Sequence, residues 1–181
     1  MATFYSDQFA TELTTDEVAA FDPAYRASTG DLGGHLVYSV GTAYTLGTTA
    51  ADSIRMIRGI HSSQRLWSLT CYCPSTPSAG IADIGLYLSG FNHDGAVVDI
   101  DLFEDGQSLT SGLAETDVFL GTTGITAADR GKTMWELADL GAASYGSDPN
   151  LFFDICFDMP TGIVTASAIP IRLVAGFLVQ G

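Results

Sequence analysis

The chain has 181 residues, 46% of them apolar, enough for one domain to bury a core without disulfides or metals. Seven Lys and Arg stand against 21 Asp and Glu, a net charge of −14, so the field repels nucleic-acid phosphates and favours neutral or basic protein surfaces. Only 15% of residues are charged and Lys132 is the single lysine, which leaves an exterior of Ser, Thr, Gly and apolar side chains suited to packing against other proteins.

Residues 1–34 show no sustained alternation, and Pro23 and the Gly-rich DLGG at 31–34 mark their end. They read as an N-terminal arm, followed by a sandwich domain at 35–181. Within the arm Phe4, Tyr5, Phe9, Leu13, Val18, Phe21 and Tyr25 are spaced too irregularly to define one face of an element. TTDEVAAF fits one helical turn capped by Thr15 or Asp16. Solvating so many aromatics is costly, so the arm is expected to pack on its own sandwich or on a neighbour. Acids stand where a signal peptide needs a basic start and an apolar stretch, so synthesis in the cytoplasm is expected.

From His35 the pattern changes to short alternating segments separated by turn residues, the signal of an all-β fold. Eight candidate strands follow: 35–46, 52–60, 65–73, 82–88, 96–103, 116–120, 151–159 and 169–179. In VVDIDLF, alternation sets Val98, Ile100 and Leu102 against Asp99 and Asp101. In FFDICFDM it sets Phe153, Ile155, Phe157 and Met159 against Asp154 and Asp158. The Asp-Gly pairs at 94–95 and 105–106 are the best hairpin signals. TAADRGKTMWELADLG at 126–141 resists a strand reading. Met134, Leu137, Ala138 and Leu140 have helical spacing, Thr126 is placed to cap, and Gly141 to terminate. The expected fold is an all-β, jelly-roll-like antiparallel sandwich of about eight strands with one short inserted helix. The last apolar segment, AIPIRLVAGFLV, contains Pro170 and Arg172 and falls short of the roughly 20 residues of a membrane span.

Groups arranged for catalysis are hard to find. Cys71, Cys73 and Cys156 are an odd set for a disulfide framework and read as buried thiols. His35, His61 and His93 lack the spacing that puts two imidazoles on one metal, and read as turn or edge residues. Asp99 and Asp101 could join Asp83 as a glycosidase-like carboxylate set or a calcium cage, but alternation on a wet sheet face produces the same pattern. DLGGH and GTTG match no phosphate-binding pattern. Arg55, Arg58 and Arg65 concentrate three of the seven basic residues in eleven positions, which suits either an acidic partner or pairing with the chain's own carboxylates. Trp67 and Trp135 read as core or interface residues.

In order, GGHLVYSVGTAYTLGTTAADSIRMIRGIHSSQRLWSLTCYC, ADIGLYL, the Asp-Gly-containing DIDLFEDGQSL and a strand-like apolar C-terminus resemble bacteriophage capsid decoration proteins, also called cement or head-stabilising proteins. The resemblance covers about residues 33–125 and, weakly, 151–181. It implies a jelly-roll sandwich, usually trimeric, on the exterior of the major capsid lattice, gripping neighbours through extended terminal segments. The insertion at 124–150 and the strong acidity depart from the pattern. The resulting expectation is a non-catalytic virion protein, partnered by the major capsid protein, using no cofactor, metal, nucleic acid or membrane. Its expected interface comprises Phe4, Tyr5, Phe9, Leu13, Phe21, Tyr25, Arg55, Arg58 and Arg65. Alternatives are a neck, tail or fibre-base protein, a carbohydrate- or calcium-binding module, or an enzyme using Asp83, Asp99 and Asp101.

Overall fold

The computed structural model describes residues 34–45, 48–49, 52–75, 80–120, 125–160, 163–164 and 169–180. The alternating segments give β1 (Gly34–Thr45), β3 (Asp52–His61), β4 (Arg65–Cys73), β5 (Ile81–Leu88), β6 (Val97–Ser108), β8 (Phe152–Met159) and β10 (Ile169–Gln180). By contrast, β7 (Leu113–Asp117) meets the expected strand at 116–120 only at Thr116 and Asp117, with Val118 outside the strand and Phe119 and Leu120 in a turn. Two dipeptide strands, β2 (Thr48–Thr49) and β9 (Ile163–Val164), pair with each other. The expected arm, including its helical turn, lies outside the described residues apart from Gly34, which opens β1.

One antiparallel sheet has the order β1-β10-β4-β7 and the other β3-β8-β5-β6. The β1-β10 ribbon continues into β3-β8, and β4-β7 stands beside its partner ribbon β5-β6 in chain order. An antiparallel double ribbon wrapped in this way is a jelly roll. The inner faces meet in one core, where Leu66, Leu69 and Leu173 from one sheet pack with Ile84, Leu86 and Phe157 from the other. Phe153, Ile155, Phe157 and Met159 all point inward, as alternation predicts. Side chains of this size contribute about 1.5–3 kcal/mol each when fully buried. Gly41 brings β1 close to β3, since a Cβ there would meet the Met56 carbonyl oxygen at 2.2 Å.

β6 departs from simple alternation. Leu86 is opposite Asp99 while Ile84 is opposite Glu104, so β6 carries extra residues against β5 and bulges outward. Ile100 is therefore exposed and Leu102 buried, although both were expected on one face. Asp94-Gly95 does lie in the β5–β6 connection, but Asp105-Gly106 makes no hairpin. It sits inside β6, where Gly106 adopts φ 64° and its N–H donates to Asp83 Oδ1 at 2.7 Å.

The inserted helix, α1 (Met134–Leu140), is shorter than the 126–141 pattern. Thr126 instead caps a 3-10 turn at Ala127–Asp129, with the Asp129 carboxylate accepting from its N–H and hydroxyl. Gly131, at φ 81°, interrupts the helical path. Thr133 then restarts it through a capping box with Glu136, and Gly141 follows the last turn. Met134, Leu137 and Ala138 are buried, whereas Leu140 is exposed.

Candidate functional site

The outer side of β3-β8-β5-β6 holds a dense polar layer. Register places Ser53, Asp158 and Asp83 in one row across β3, β8 and β5, and Arg55, Cys156 and Gly85 in the next. Tyr87 donates its hydroxyl to Asp158 Oδ1 at 2.8 Å, and lies 3.2 Å from Ser53 Oγ. The Arg55 guanidinium stacks 4.3 Å from the Tyr87 ring centre and donates to the carbonyls of Leu88 and Gly95. Asp154, fully buried, accepts from the Gly59 N–H at 2.9 Å and lies 3.6 Å from Arg55 and 3.0 Å from His93 Nδ1. Gly85 is required where β6 folds close, because a Cβ would meet the Ile100 carbonyl oxygen at 2.2 Å.

Burial, more than any single neighbour, sets the acidities here. It raises Asp158, Asp83 and Glu104 above the ordinary carboxylate range, with Asp83 adding repulsion at both Asp158 and Glu104. Asp101 is also raised, first through its contact with Asp99. Asp158 Oδ2 is buried with no hydrogen-bond partner. Like charges directly opposite in a sheet are unfavourable, and Asp83 and Asp158 are such a pair. The layer thus stores protons more readily than ordinary carboxylates. The expected wet face at Asp83 is a correction: β6, the Gly106 amide and Tyr87 cover this side, and Asp83 is buried. Among the described residues, no three or more His, Cys, Asp or Glu side chains converge as a metal site requires. The three thiols are buried, and burial pushes Cys71 up to about 12 and Cys73 up to about 11.

Among the described residues, the outer side of β1-β10-β4 carries exposed apolar side chains. Tyr38 and Ser68 both lie close over Gly176, where a Cβ would meet Ser68 Oγ at 2.5 Å and the Tyr38 ring at 3.0 Å. Leu36 and Tyr38 on β1, and Trp67 and Tyr72 on β4, are half-exposed around the central strand β10. Trp67 and Leu178 flank Gly131, so the loop before α1 borders the same face. Arg172, 5.7 Å from the Tyr72 ring centre, pairs with Glu115 at 2.7 Å, while Arg130 pairs with Asp117. Arg65, opposite Leu178 in the register of β4 and β10, donates to the Gly131 carbonyl.

No protein-family model matches the sequence, and no curated protein matches it. Among solved structures, the chain is similar to the cyanophage Pam1 capsid asymmetric unit. The identity is 11% and the TM-score 0.41, with 84% of this chain and 91% of that chain covered.

The expected interface residues are divided by the fold. Phe4, Tyr5, Phe9, Leu13, Phe21 and Tyr25 lie outside the described residues. Arg55 is engaged within the chain, and Arg65 donates to the Gly131 carbonyl at 2.9 Å across the base of the α1 insertion. Arg58 is exposed, its Nε donating to the Arg55 carbonyl at 3.3 Å. Arg55 and Arg58 thus share β3, while Arg65 belongs to the opposite sheet. His61 contacts Ser63 and Asn150, and His93 contacts Ser89 and Asp154. Sequence reasoning missed Phe91, which is 97% exposed at the tip of the β5–β6 loop. Its signal was there to read, as an aromatic residue inside the polar turn SGFNHDG. Arg55 and His93 hold the loop's flanks, so Phe91 is presented from an anchored frame.

Proposed function

We propose that this chain is a non-catalytic virion structural protein that decorates the exterior of a phage head. It binds the major capsid protein through the apolar outer face of β1-β10-β4 and the arm at 1–34. The observation that carries the reading is that Leu36, Tyr38, Trp67 and Tyr72, exposed apolar side chains among the described residues, share one sheet of a strongly acidic molecule. Aromatic residues framed by a polar rim are the usual composition of a protein interface. The choice of a capsid partner rests on the sequence resemblance to decoration proteins.

On this reading the protein works by non-covalent bridging. Packed DNA pushes capsid subunits apart, and a bound protein spanning a seam adds interface area that must be broken before the seam opens. Interfaces of about 1,600 Å² range from weak to tight, so repetition over a lattice makes modest individual affinities sufficient. The test is binding of purified protein to undecorated heads, with copies per particle counted. The proposal expects hundreds of copies, and a severe loss of occupancy for the double variant Trp67→Ala, Tyr72→Ala. Undiminished occupancy by that variant would remove the face from the proposal. Copies in the tens would favour a neck or tail component.

A further inference from the structure

Register sets Asp83 on β5 directly opposite Asp158 on β8, with Ser53 of β3 on the far side of Asp158 in the same row. Residues directly opposite in an antiparallel sheet have Cβ atoms about 4.5–5.5 Å apart on one face. The two carboxyl groups are therefore neighbours, and both are buried, at 8% and 2% exposure. The chain holds one oxygen of each. Asp83 Oδ1 accepts from the Gly106 N–H at 2.7 Å, and Asp158 Oδ1 accepts from the Tyr87 hydroxyl at 2.8 Å. Asp158 Oδ2 is buried and has no hydrogen-bond partner.

No cation neutralises this pair. Among the described residues, neither Asp83 nor Asp158 takes part in an ion pair. Arg55, on β3, is committed to Asp154, to the carbonyls of Leu88 and Gly95 and to the Tyr87 ring, and its pull on Asp158 is weaker than the push from Asp83. Arg58, on the same strand, is exposed and donates to the Arg55 carbonyl. The other titratable groups on this side add negative charge or none. β8 contributes Asp154 and the buried Cys156 thiol, and β6 contributes Asp101, Glu104 and Asp105. β5 contributes Tyr87, and His93 in the β5–β6 loop is taken by Asp154 and Ser89. A metal would need a third ligand, and among the described residues no three such side chains converge.

We propose that Asp83 and Asp158 share one proton at neutral pH, forming a buried carboxyl–carboxylate pair that closes the outer layer of β3-β8-β5-β6. The step is plain binding: one proton from water joins two carboxylates, and the pair carries one negative charge instead of two. Asp158 Oδ2, free of other partners, offers the proton a place, with Asp83 then the anion held by the Gly106 N–H. When Asp83 carries the proton, Asp158 is the anion held by Tyr87. Two like charges side by side in a poorly hydrated site keep one proton well above the ordinary carboxylate range. Burial is the main cause of the raised proton affinity at both residues. In acid the pair takes up its second proton. In alkali it loses the first, which leaves two anions opposed across β5 and β8 and loosens the layer. The site belongs to the fold and stands whether or not the capsid reading does.

Counting charge on the folded chain tests this directly. Native electrophoresis at pH 7 is calibrated with Asp94→Asn, which removes one ordinary exposed acid and shifts net charge by one unit. Asp158→Asn and Asp83→Asn should each leave the mobility of the natural chain unchanged, because the remaining partner keeps the single negative charge. The double variant Asp83→Asn, Asp158→Asn should shift it by one full unit. A full-unit shift for Asp158→Asn alone would overturn the proposal, because both acids would then be ionised in the natural chain. A full-unit shift for Asp83→Asn alone would overturn it too, since Asp158 would then keep its proton by burial without a partner. Infrared spectroscopy of the natural chain needs no variant to fold. It should show the carbonyl stretch of a protonated carboxyl group at pH 7, and that band should weaken in Asp158→Asn. Absence of the band, or a band that Asp158→Asn leaves undiminished, would equally sink the shared proton.

Discussion

The outer side of β3-β8-β5-β6 carries more ionisable groups than the outer side of β1-β10-β4-β7, yet it is the better buried of the two. Asp154 is 0% exposed and Asp158 2%, because Tyr87, Arg55, the β5–β6 loop and the bulged β6 close over them. On the opposite sheet the aromatics Tyr38, Trp67 and Tyr72 remain half in solvent. The difference separates two uses of a sheet face. A polar layer that finds its partners within the chain consolidates the fold, whereas an apolar layer left uncovered is available for association.

The largest effect that tests this contrast is Asp154→Ala. It removes the acceptor of the Gly59 N–H and the anionic partner of the partly buried Arg55, and should lower unfolding free energy by about 3 kcal/mol, measured by urea denaturation. A loss no larger than that of an ordinary surface substitution would mean that the polar layer does not consolidate the fold.

Tyr87→Phe is next. It removes the donor to Asp158 Oδ1, with an expected cost of about 1–2 kcal/mol at neutral pH. The cost should shrink in acid, where Asp158 takes up a proton.

Stability should also depend on pH in a direction set by this face. Asp83, Asp101, Glu104 and Asp158 are raised from ordinary values of 3.8 for Asp and 4.5 for Glu. These carboxylates bind protons more tightly folded than unfolded, so their contribution is fully present below the unfolded values and is lost as pH rises through the folded ones. Asp129, lowered to about 2 by Lys132 and Thr126, acts in the opposite sense, as do Glu136 and Asp148. Their contribution is lost as pH falls through the folded values. Thermal melts from pH 3 to 8 should therefore show a maximum on the acid side of neutrality, and Asp83→Asn should flatten the decline above it. A steady rise in stability from pH 5 to 8 would contradict this account.

The smallest expected stability effect belongs to the open faces: Tyr72→Ala and Phe91→Ala should each change unfolding free energy by about 0.5 kcal/mol or less. A larger loss at Tyr72 would show that the apolar face serves the fold after all.

Strand positions were legible because inward residues such as Phe153, Ile155 and Phe157 repeat every second position in a sandwich with one core. Alternation separates the two faces of a strand but does not say which face is wet. Asp154 and Asp158 fall opposite the core residues as expected, and are buried by elements far away in sequence. The bulge at Asp105-Gly106 looks like a hairpin in sequence because both need a residue that accepts positive φ. The helix start misled for a related reason: Thr126 and Thr133 each head a capping box, and only Gly131 between them reveals that there are two short elements. The open apolar face was hidden because Leu36, Tyr38, Trp67 and Tyr72 come from separate segments that only strand order brings together. Arg55, Arg58 and Arg65 are neighbours in sequence but are split by the crossing from one sheet to the other.

The buried thiols offer a built-in clock for how this sandwich opens. Cys71 and Cys73 lie in the core on the inner side of β4, whereas Cys156 lies beneath the polar layer outside β8. Lowered thiol acidity and burial keep all three unreactive towards alkylating reagents while the chain is closed. Labelling at Cys156 alone reports peeling of the outer layer, and labelling at all three together reports separation of the sheets. The ratio of those two rates distinguishes local breathing from global opening in a single mass-spectrometric time course.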